Sequence, residues 1–203
     1  MRKKSHISLA RYLINNMRVN DLIEHKKAFY IGSILPDLKP SFFTRRHTID
    51  ETFDVLKQEI RKITTDYDIT RGIDGYYARH LGVITHYLAD YCTFPHNSIF
   101  KGTMTEHVYY EKELKFSLKE YVQQEQLNRY RQPNQPLKTM DEIIHYINKT
   151  HREYLTALKV VSEDIQYIVD LCYKVVDAIL QLFEIAYHKF HGVTYHENRL
   201  ITE

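Results

Sequence analysis

The sequence places five potential metal ligands within a stretch of 26 residues, namely His86, Asp90, His96, His107 and Glu111. His86 and Asp90 are four residues apart, and the same spacing separates His107 from Glu111. Residues four apart lie on one face of a helix, so each pair could hold one ion if its segment is helical. Imidazole and carboxylate without nearby thiolate are typical ligands of catalytic zinc and other divalent metals. The spacing therefore predicts a catalytic metal site rather than a closed structural zinc site.

The elements that must position these ligands are predicted to be helices. Apolar residues recur with helical periodicity along nearly the whole chain, whereas alternating strand patterns are scarce. With 203 residues and a mass of 24.4 kDa, the chain suits one domain around a single core. We therefore expect an all-α fold, a single-domain multi-helix bundle over residues 1–203 with a metal cluster in its core. The ligand-bearing part would cover about residues 5–115, and the C-terminal helices about residues 140–191.

The first helices are predicted from capping residues and prolines. Ser5 is expected to cap the first helix, and Asn20 a second one that runs to Gly32. Pro36 and Pro40 then predict a loop, because proline restricts the residue before it to extended or turn conformations.

Two further helices follow in the sequence. Apolar residues at steps of three and four predict an amphipathic helix over residues 49–63. A second helix is predicted over residues 77–92, and its segment 81–89 contains no Asp, Glu, Lys or Arg. This helix carries His86 and Asp90, so we expect the first ligand pair at the centre of the bundle, buried on most sides.

The second ligand pair is expected on a helix of its own. Pro95 should end the central helix and leave His96 on a loop. Thr103, followed three residues later by Glu106, predicts a capping box for the helix that carries His107. The polar pair of this helix shares a stripe with apolar side chains, and ionisable groups that face a core need compensation, which a cation could supply.

The C-terminal part of the chain is predicted to contain two more helices after a polar connection. Asp141 should open the first of them, and Ser162 should cap the last long helix, which continues to about His191.

Composition excludes several classes of protein. The net charge is +2 and the sequence pI about 8.4, which is too mild to indicate a stable nucleic-acid complex. We find no apolar run of membrane-spanning length and no secretory signal pattern at the start. Cys92 and Cys172 form no disulfide framework or C-x-x-C motif. We therefore expect a cytoplasmic protein with no transmembrane segment, while its oligomeric state stays open.

Three more candidate ligands lie upstream: His6, Asp37 in the motif LPD, and His47 in the motif RRHTID. Together with the five downstream residues they form an ordered set that resembles the zinc-dependent phospholipase C family. A proline directly before His96 adds to the resemblance, which covers roughly residues 5–115. The resemblance implies an all-α bundle, like that of phospholipase C and the related S1/P1-type single-strand nucleases, with up to three zinc ions. Those nucleases typically have Asp where this chain has Glu111, which favours the phospholipase side.

The resemblance also implies which residues share an ion. One zinc would be held by Asp37, His47, His86 and Asp90, and a second by His96, His107 and Glu111. Asp90 would bridge to a third metal that His6 also binds, and iron or manganese are alternatives to zinc. The family completes this third site with the amino group and carbonyl of an N-terminal Trp. The present chain contains no Trp, so a third ion would need other ligands or more water.

The predicted function is a metal-dependent hydrolysis of phosphoesters by a metal-activated water, on a small phosphoester or a phospholipid. Asp37 could act as the general base or simply as a ligand. Arg45 and Arg46 are candidates for phosphate contacts, and Tyr87 and Tyr110 for the substrate pocket. Two alternatives remain open, a noncatalytic helical metal-binding protein and a nuclease-like phosphodiesterase.

Overall fold

The computed structural model describes residues 1–38, 46–124, 129–131 and 137–192. Within these ranges the chain forms eight α-helices and contains no strand. The helices are α1 (Lys3–Met17), α2 (Asn20–Glu24), α3 (Lys26–Ile34), α4 (Ile49–Ile63), α5 (Gly75–Tyr91), α6 (Met104–Tyr121), α7 (Met140–Thr156) and α8 (Val161–Phe190). The predicted all-α class is confirmed.

Short 3-10 helices interrupt three of the connections: Pro36–Leu38, Ile69–Arg71 and Phe94–His96. The last of them corrects the prediction that His96 lies on an irregular loop. Pro95 does end α5, but its fixed φ angle also suits the first turn of a new helix, so His96 closes one 3-10 turn. This turn fixes the backbone of a candidate ligand.

Three predicted helix starts were wrong. Helix α1 begins at Lys3, and Ser5 is buried inside it. The predicted second helix is divided at His25, whose φ of −95° and ψ of 17° turn the chain before α3 begins, and Asn20 is the first residue of α2 rather than its cap. Helix α8 begins at Val161, so Ser162 lies within the first turn. The observed caps are Arg2, Val19 and Val160, one to three residues before the predicted ones, and none of them caps its helix with a side-chain hydrogen bond.

Helix α5 is the central element of the bundle. It packs against α1, α3, α4 and α8, and every residue from Leu81 to Cys92 is buried. Asp74 caps its start by accepting a hydrogen bond from the backbone N–H of Tyr77 at 2.9 Å. The predicted burial of the helix that carries His86 and Asp90 is therefore confirmed.

Two glycines let α3 and α5 approach each other closely. A Cβ atom at Gly32 would lie 2.0 Å from the carbonyl oxygen of Arg79, and one at Gly82 would lie 2.2 Å from the carbonyl oxygen of Phe29. Any larger residue would force the backbones apart. The glycine pair thereby sets the distance between the end of α3 and the middle of α5, about one turn before His86.

Two helices that lead into the site are capped by threonine hydroxyls. The hydroxyl of Thr48 accepts a hydrogen bond from the backbone N–H of Glu51 at the start of α4. Thr103 and Glu106 form the predicted capping box at the start of α6. Both caps hold a helix end beside a candidate ligand: His47 directly precedes Thr48, and the backbone N–H of His107 donates to the carbonyl oxygen of Thr103.

The remaining helices enclose the other side of α5. Helix α8, 30 residues long, packs against α5, α6 and α7. Cys92 and Cys172 are both buried free thiols, as the absence of a disulfide framework predicted. Among the described helices, none is both long and apolar enough to cross a membrane.

Candidate metal centre

All the predicted metal ligands lie together at one end of α5. Six separate segments contribute them: α1, the 3-10 helix Pro36–Leu38, the chain before α4, α5 itself, the 3-10 helix Phe94–His96, and α6. The donor side chains are His6, Asp37, His47, His86, Asp90, His96, His107 and Glu111. They fall into a central site (Asp37, His47, His86 and Asp90) and an outer site (His96, His107 and Glu111).

Three donor atoms of the central site, from His47, His86 and Asp90, lie close enough together to share one ion. His86 Nε2 lies 2.9 Å from His47 Nδ1, and these two atoms lie 3.2 and 3.1 Å from Asp90 Oδ2. Asp37 Oδ1 is 3.8 Å from His86 Nε2 and 3.7 Å from His47 Nδ1. Four donors around one zinc would be separated by roughly 3.3–3.6 Å for bond lengths of about 2.0–2.2 Å. His47, His86 and Asp90 could thus hold a single divalent ion, and Asp37 lies close to both histidines.

The ring of His86 is oriented by α3. Its Nδ1 lies 2.9 Å from the carbonyl oxygen of Ser33, to which it can donate a hydrogen bond when it carries the ring proton. A proton held on Nδ1 leaves Nε2 with its lone pair directed at the other donors of the central site. Histidine ligands of metals are commonly fixed in this way by a backbone carbonyl. The close packing of α3 on α5 therefore sets both the position and the tautomer of this ligand.

The outer site is built from two segments and is more accessible to solvent. Glu111 Oε1 lies 3.3 Å from His96 Nε2 and 3.4 Å from His107 Nε2. All three side chains are partly exposed. Burial would raise the pKa of Glu111, but hydrogen bonds from His107 and His96 and the nearby Met1 ammonium outweigh it and hold that pKa far below its usual range. The carboxylate is therefore ionised and able to bind a cation.

The α-amino group of Met1 lies inside the cluster. Its nitrogen is 2.7 Å from Asp90 Oδ1, 2.9 Å from His96 Nε2 and 3.1 Å from Glu111 Oε1. Burial alone would lower the pKa of this ammonium, but the charges of Asp90 and Glu111 raise it above the ordinary value. The ammonium thus compensates the buried carboxylates. Helical periodicity carries no information on where a terminus lies, so the family's use of an N-terminal amino group at the third ion was the signal for this position.

Asp90 connects the two sites, because its Oδ2 lies 3.6 Å from His96 Nδ1 of the outer site. Its Oδ2 faces His47 and His86 in the central site, whereas its Oδ1 faces the Met1 nitrogen and, at 3.4 Å, His6 Nε2. Burial disfavours its charge, yet the Met1 ammonium and the neighbouring histidines lower the pKa of Asp90 well below the usual value. A fully buried, ionised carboxylate with its two oxygens directed at different donor sets is suited to bridge two cations.

His6 provides a test of whether the residues present fit a metal. Its ring is buried and stacks on that of His86, with 4.0 Å between the centroids. Its Nδ1 makes no hydrogen bond with any residue that the structure describes, and the contact of Nε2 with Asp90 Oδ1, at 3.4 Å, falls outside hydrogen-bond geometry. Burial, reinforced by His86, lowers the pKa of His6 to about 3, so the ring is neutral, the form that binds metals. Buried imidazole nitrogens without a partner are costly, and a cation would satisfy one of them.

His6 lies near two donor groups rather than one. The resemblance implied that it shares an ion with Asp90, and its Nε2 is 3.4 Å from Asp90 Oδ1. A ring nitrogen of His6 also lies within 4.8 Å of donor atoms of Asp37 and His86. The position of His6 is thus compatible with a third ion beside Asp90 and with additional coordination in the central site.

The residues predicted to contact substrate have different surroundings. Arg46 is exposed, and its backbone N–H donates to Glu51, while Arg45 lies outside the described residues. The Tyr87 ring packs edge-on against His47 and His86. The hydroxyl of Tyr110 donates to a buried carboxylate of α8 rather than pointing at the donor cluster.

Fold and site together define a helical protein with a His, Asp and Glu cluster that could hold metal ions. The chain matches the family model described as zinc dependent phospholipase C over residues 5–159. This match covers most of the chain, which therefore belongs to the zinc-dependent phospholipase C family. No significant match was found among curated proteins or among solved structures. Family membership indicates a metal-dependent, phospholipase-like hydrolase with a lipid or phosphoester substrate.

Proposed function

We propose that the protein hydrolyses phosphoesters with a water activated by divalent cations, zinc in the first instance, held in the central and outer sites. The close spacing of His47 Nδ1, His86 Nε2 and Asp90 Oδ2, which lie between 2.9 and 3.2 Å from one another, carries this proposal. Bound cations would polarise a phosphoryl oxygen and lower the pKa of the attacking water. The protein itself then has to hold the donors, place the ester and move one proton.

Asp37 is the candidate for the proton transfer. Its side chain lies at the edge of the central site, 3.7 Å from His47 Nδ1. Burial, only partly offset by His86, raises the pKa of Asp37. A raised pKa makes a carboxylate a better proton acceptor, which supports a role as general base beside its role as a ligand. Tyr87 packs against His47 and His86, and the exposed Arg46 directly precedes His47 in the chain. Both are proposed to contact the substrate, Arg46 at a phosphate oxygen.

A third cation would be held by Asp90 Oδ1, His6 and the α-amino group of Met1. In the family this position uses the amino group of an N-terminal Trp, and here the Met1 nitrogen lies 2.7 Å from Asp90 Oδ1. The ammonium has to lose a proton before it can bind a metal, so occupation of this site would release one proton. Met1 would thus supply the same donor group without an indole side chain.

Metal content and turnover test the proposed function directly. Untagged protein, reconstituted with zinc, should contain at least two equivalents and hydrolyse nitrophenyl phosphate or nitrophenyl phosphorylcholine. Glu111→Gln should lose both the outer zinc and most of the turnover, since an amide neutralises less of the cation's charge. Glu113→Gln is the matched control, because Glu113 is an exposed residue of the same helix.

The outcome also separates the alternative functions. A protein that binds two zinc ions but turns over neither ester nor single-stranded DNA would be a noncatalytic metal-binding protein. Turnover of single-stranded DNA far above that of the esters would favour a nuclease-like phosphodiesterase. Fewer than one equivalent of zinc, iron or manganese after reconstitution would contradict the metal centre itself.

A further inference from the structure

A buried carboxylate in the first turn of α8 joins two segments that carry ligands. Asp164 Oδ2 accepts hydrogen bonds from the backbone N–H of Phe94 at 2.7 Å and from the hydroxyl of Tyr110 at 2.8 Å. Its Oδ1 accepts a third from the hydroxyl of Tyr154 at 2.7 Å. The side chain is fully buried, and its residue lies outside the range 5–159 that matches the family.

The first two of these hydrogen bonds end beside metal ligands. Phe94 begins the 3-10 helix that His96 closes, and Tyr110 directly precedes Glu111 on α6. One oxygen atom therefore binds both segments of the outer site. The third hydrogen bond does not lead to a ligand, because Tyr154 lies on α7, which contributes no donor to either site.

We propose that Asp164 is a positioning residue that sets the separation of His96 from Glu111 in the outer site. This inference rests on the proposed function, in which these two side chains bind the same ion. Two ligands on different segments can bind one ion only if their segments are held in a fixed relation, and buried hydrogen bonds to a shared charged acceptor provide such a restraint. Asp164 itself contacts none of the donors of the outer site.

The chain offers a matched pair of variants for a test. Tyr110→Phe and Tyr154→Phe each remove one hydroxyl that donates to Asp164, but only Tyr110 adjoins a ligand. We expect Tyr110→Phe to weaken binding of the outer zinc about tenfold, as changes to groups that orient metal ligands commonly do. Tyr154→Phe should leave that affinity unchanged, even where both variants lower the melting temperature. Zinc affinity is measured by titration against a competing chelator.

Substitution of Asp164 itself gives a second measurement. Asp164→Ala removes both oxygen atoms and should abolish outer-site binding or prevent folding. Asp164→Asn can keep its oxygen towards Phe94 and Tyr110 and direct its NH₂ group at the Tyr154 oxygen, so it should restore most of the affinity. The visible absorption of cobalt-loaded protein reports the geometry of the outer site, and it should change in Tyr110→Phe but not in Tyr154→Phe.

The results distinguish a failure of this inference from a failure of the proposed function. Wild-type zinc affinity and wild-type cobalt spectra in both tyrosine variants would overturn the positioning role and leave Asp164 as a buried acceptor of the core. Equal losses of zinc affinity in both variants would overturn it as well. A wild-type protein that binds no second zinc ion would instead contradict the proposed function.

Discussion

The α-nitrogen of Met1 lies 2.7 Å from Asp90 Oδ1, although 89 positions separate the two residues in the sequence. Both groups are buried, and each is charged in the presence of the other, because the pKa of the ammonium is raised and that of the carboxylate is lowered. A buried pair of this kind compensates charge in the protein without metal. A cation can bind Asp90 Oδ1 only if the ammonium moves away or loses a proton, after which the neutral amine can act as a ligand.

Asp90 should be the most sensitive ligand, because its two oxygens face different donor sets. Asp90→Asn keeps the shape of the side chain but removes the charge that neutralises the cations. We expect this variant to lose more than one equivalent of zinc and all phosphoester hydrolysis, measured by elemental analysis and initial rates. Asp170→Asn, an exposed change on α8, is the control. Full zinc content and wild-type rates in Asp90→Asn would show that Asp90 bridges no ions.

An N-terminal extension should reveal the role of the Met1 amino group. Residues added before Met1 convert its amine to an amide, which has no lone pair for a metal and cannot compensate Asp90 with a positive charge. We expect the extended protein to bind fewer zinc ions and to hydrolyse phosphoesters more slowly, whereas the same residues added after Glu203 should change neither quantity. Equal zinc content in the two extended proteins would exclude the amine as a ligand.

The stability of the metal-free protein should fall in acid partly because of His6. The pKa of His6 is about 3 in the folded protein, against 6.5 in the unfolded chain. Between these pH values the unfolded chain binds one proton more than the folded protein. The free energy of unfolding therefore includes the full contribution of neutral His6 above pH 6.5 and loses it as the pH falls towards 3. Urea unfolding in the presence of a chelator should show this loss in wild-type protein.

Comparison with His6→Leu isolates this contribution, because the other titrating groups are common to both proteins. The free energy of unfolding of the wild type minus that of His6→Leu should change by up to about 1.4 kcal/mol per pH unit below pH 6.5. A difference that is constant between pH 7.5 and pH 4.5 would mean that His6 is not held neutral in the folded protein.

The close contact between α3 and α5 should be intolerant of a single methyl group. A Cβ at position 82 would lie 2.2 Å from the carbonyl oxygen of Phe29, whereas a Cβ at Gly75 would meet its nearest atom at 3.8 Å. Gly82→Ala should therefore cost roughly 1–3 kcal/mol of stability or more through overpacking. Gly75→Ala in the same helix should cost much less. Urea unfolding of the two variants measures this difference.

The same substitution should also weaken the central site. Separation of α3 from α5 lengthens the hydrogen bond from His86 Nδ1 to the Ser33 carbonyl oxygen, which is 2.9 Å in the native protein. We expect Gly82→Ala to bind zinc more weakly than Gly75→Ala does, in chelator competition at a temperature where both are folded. Equal affinities would show that α3 does not orient His86.

The sequence by itself determined the features that depend on neighbours within one or two helical turns. The ligand pairs at positions four apart, the capping box at Thr103 and the buried helix that carries His86 all follow from helical geometry. The resemblance added His6, Asp37 and His47 to the candidate ligands, and the structure places them beside the pairs. Local preference did not locate the helix starts at Ser5, Asn20 and Ser162, where the observed caps lie one to three residues earlier, because a capping signal is worth only about 1 kcal/mol.

Only the tertiary structure decided how distant segments meet. The Met1 amino group, the Ser33 carbonyl oxygen and Asp164 are ordinary groups in the sequence, and no periodicity distinguishes them. They acquire their positions because α3 and α5 touch through Gly32 and Gly82 and because α8 packs its first turn against the chain beside the outer site. Such contacts join residues 50 or more positions apart. Many packing interactions together determine their geometry, which no local sequence pattern specifies.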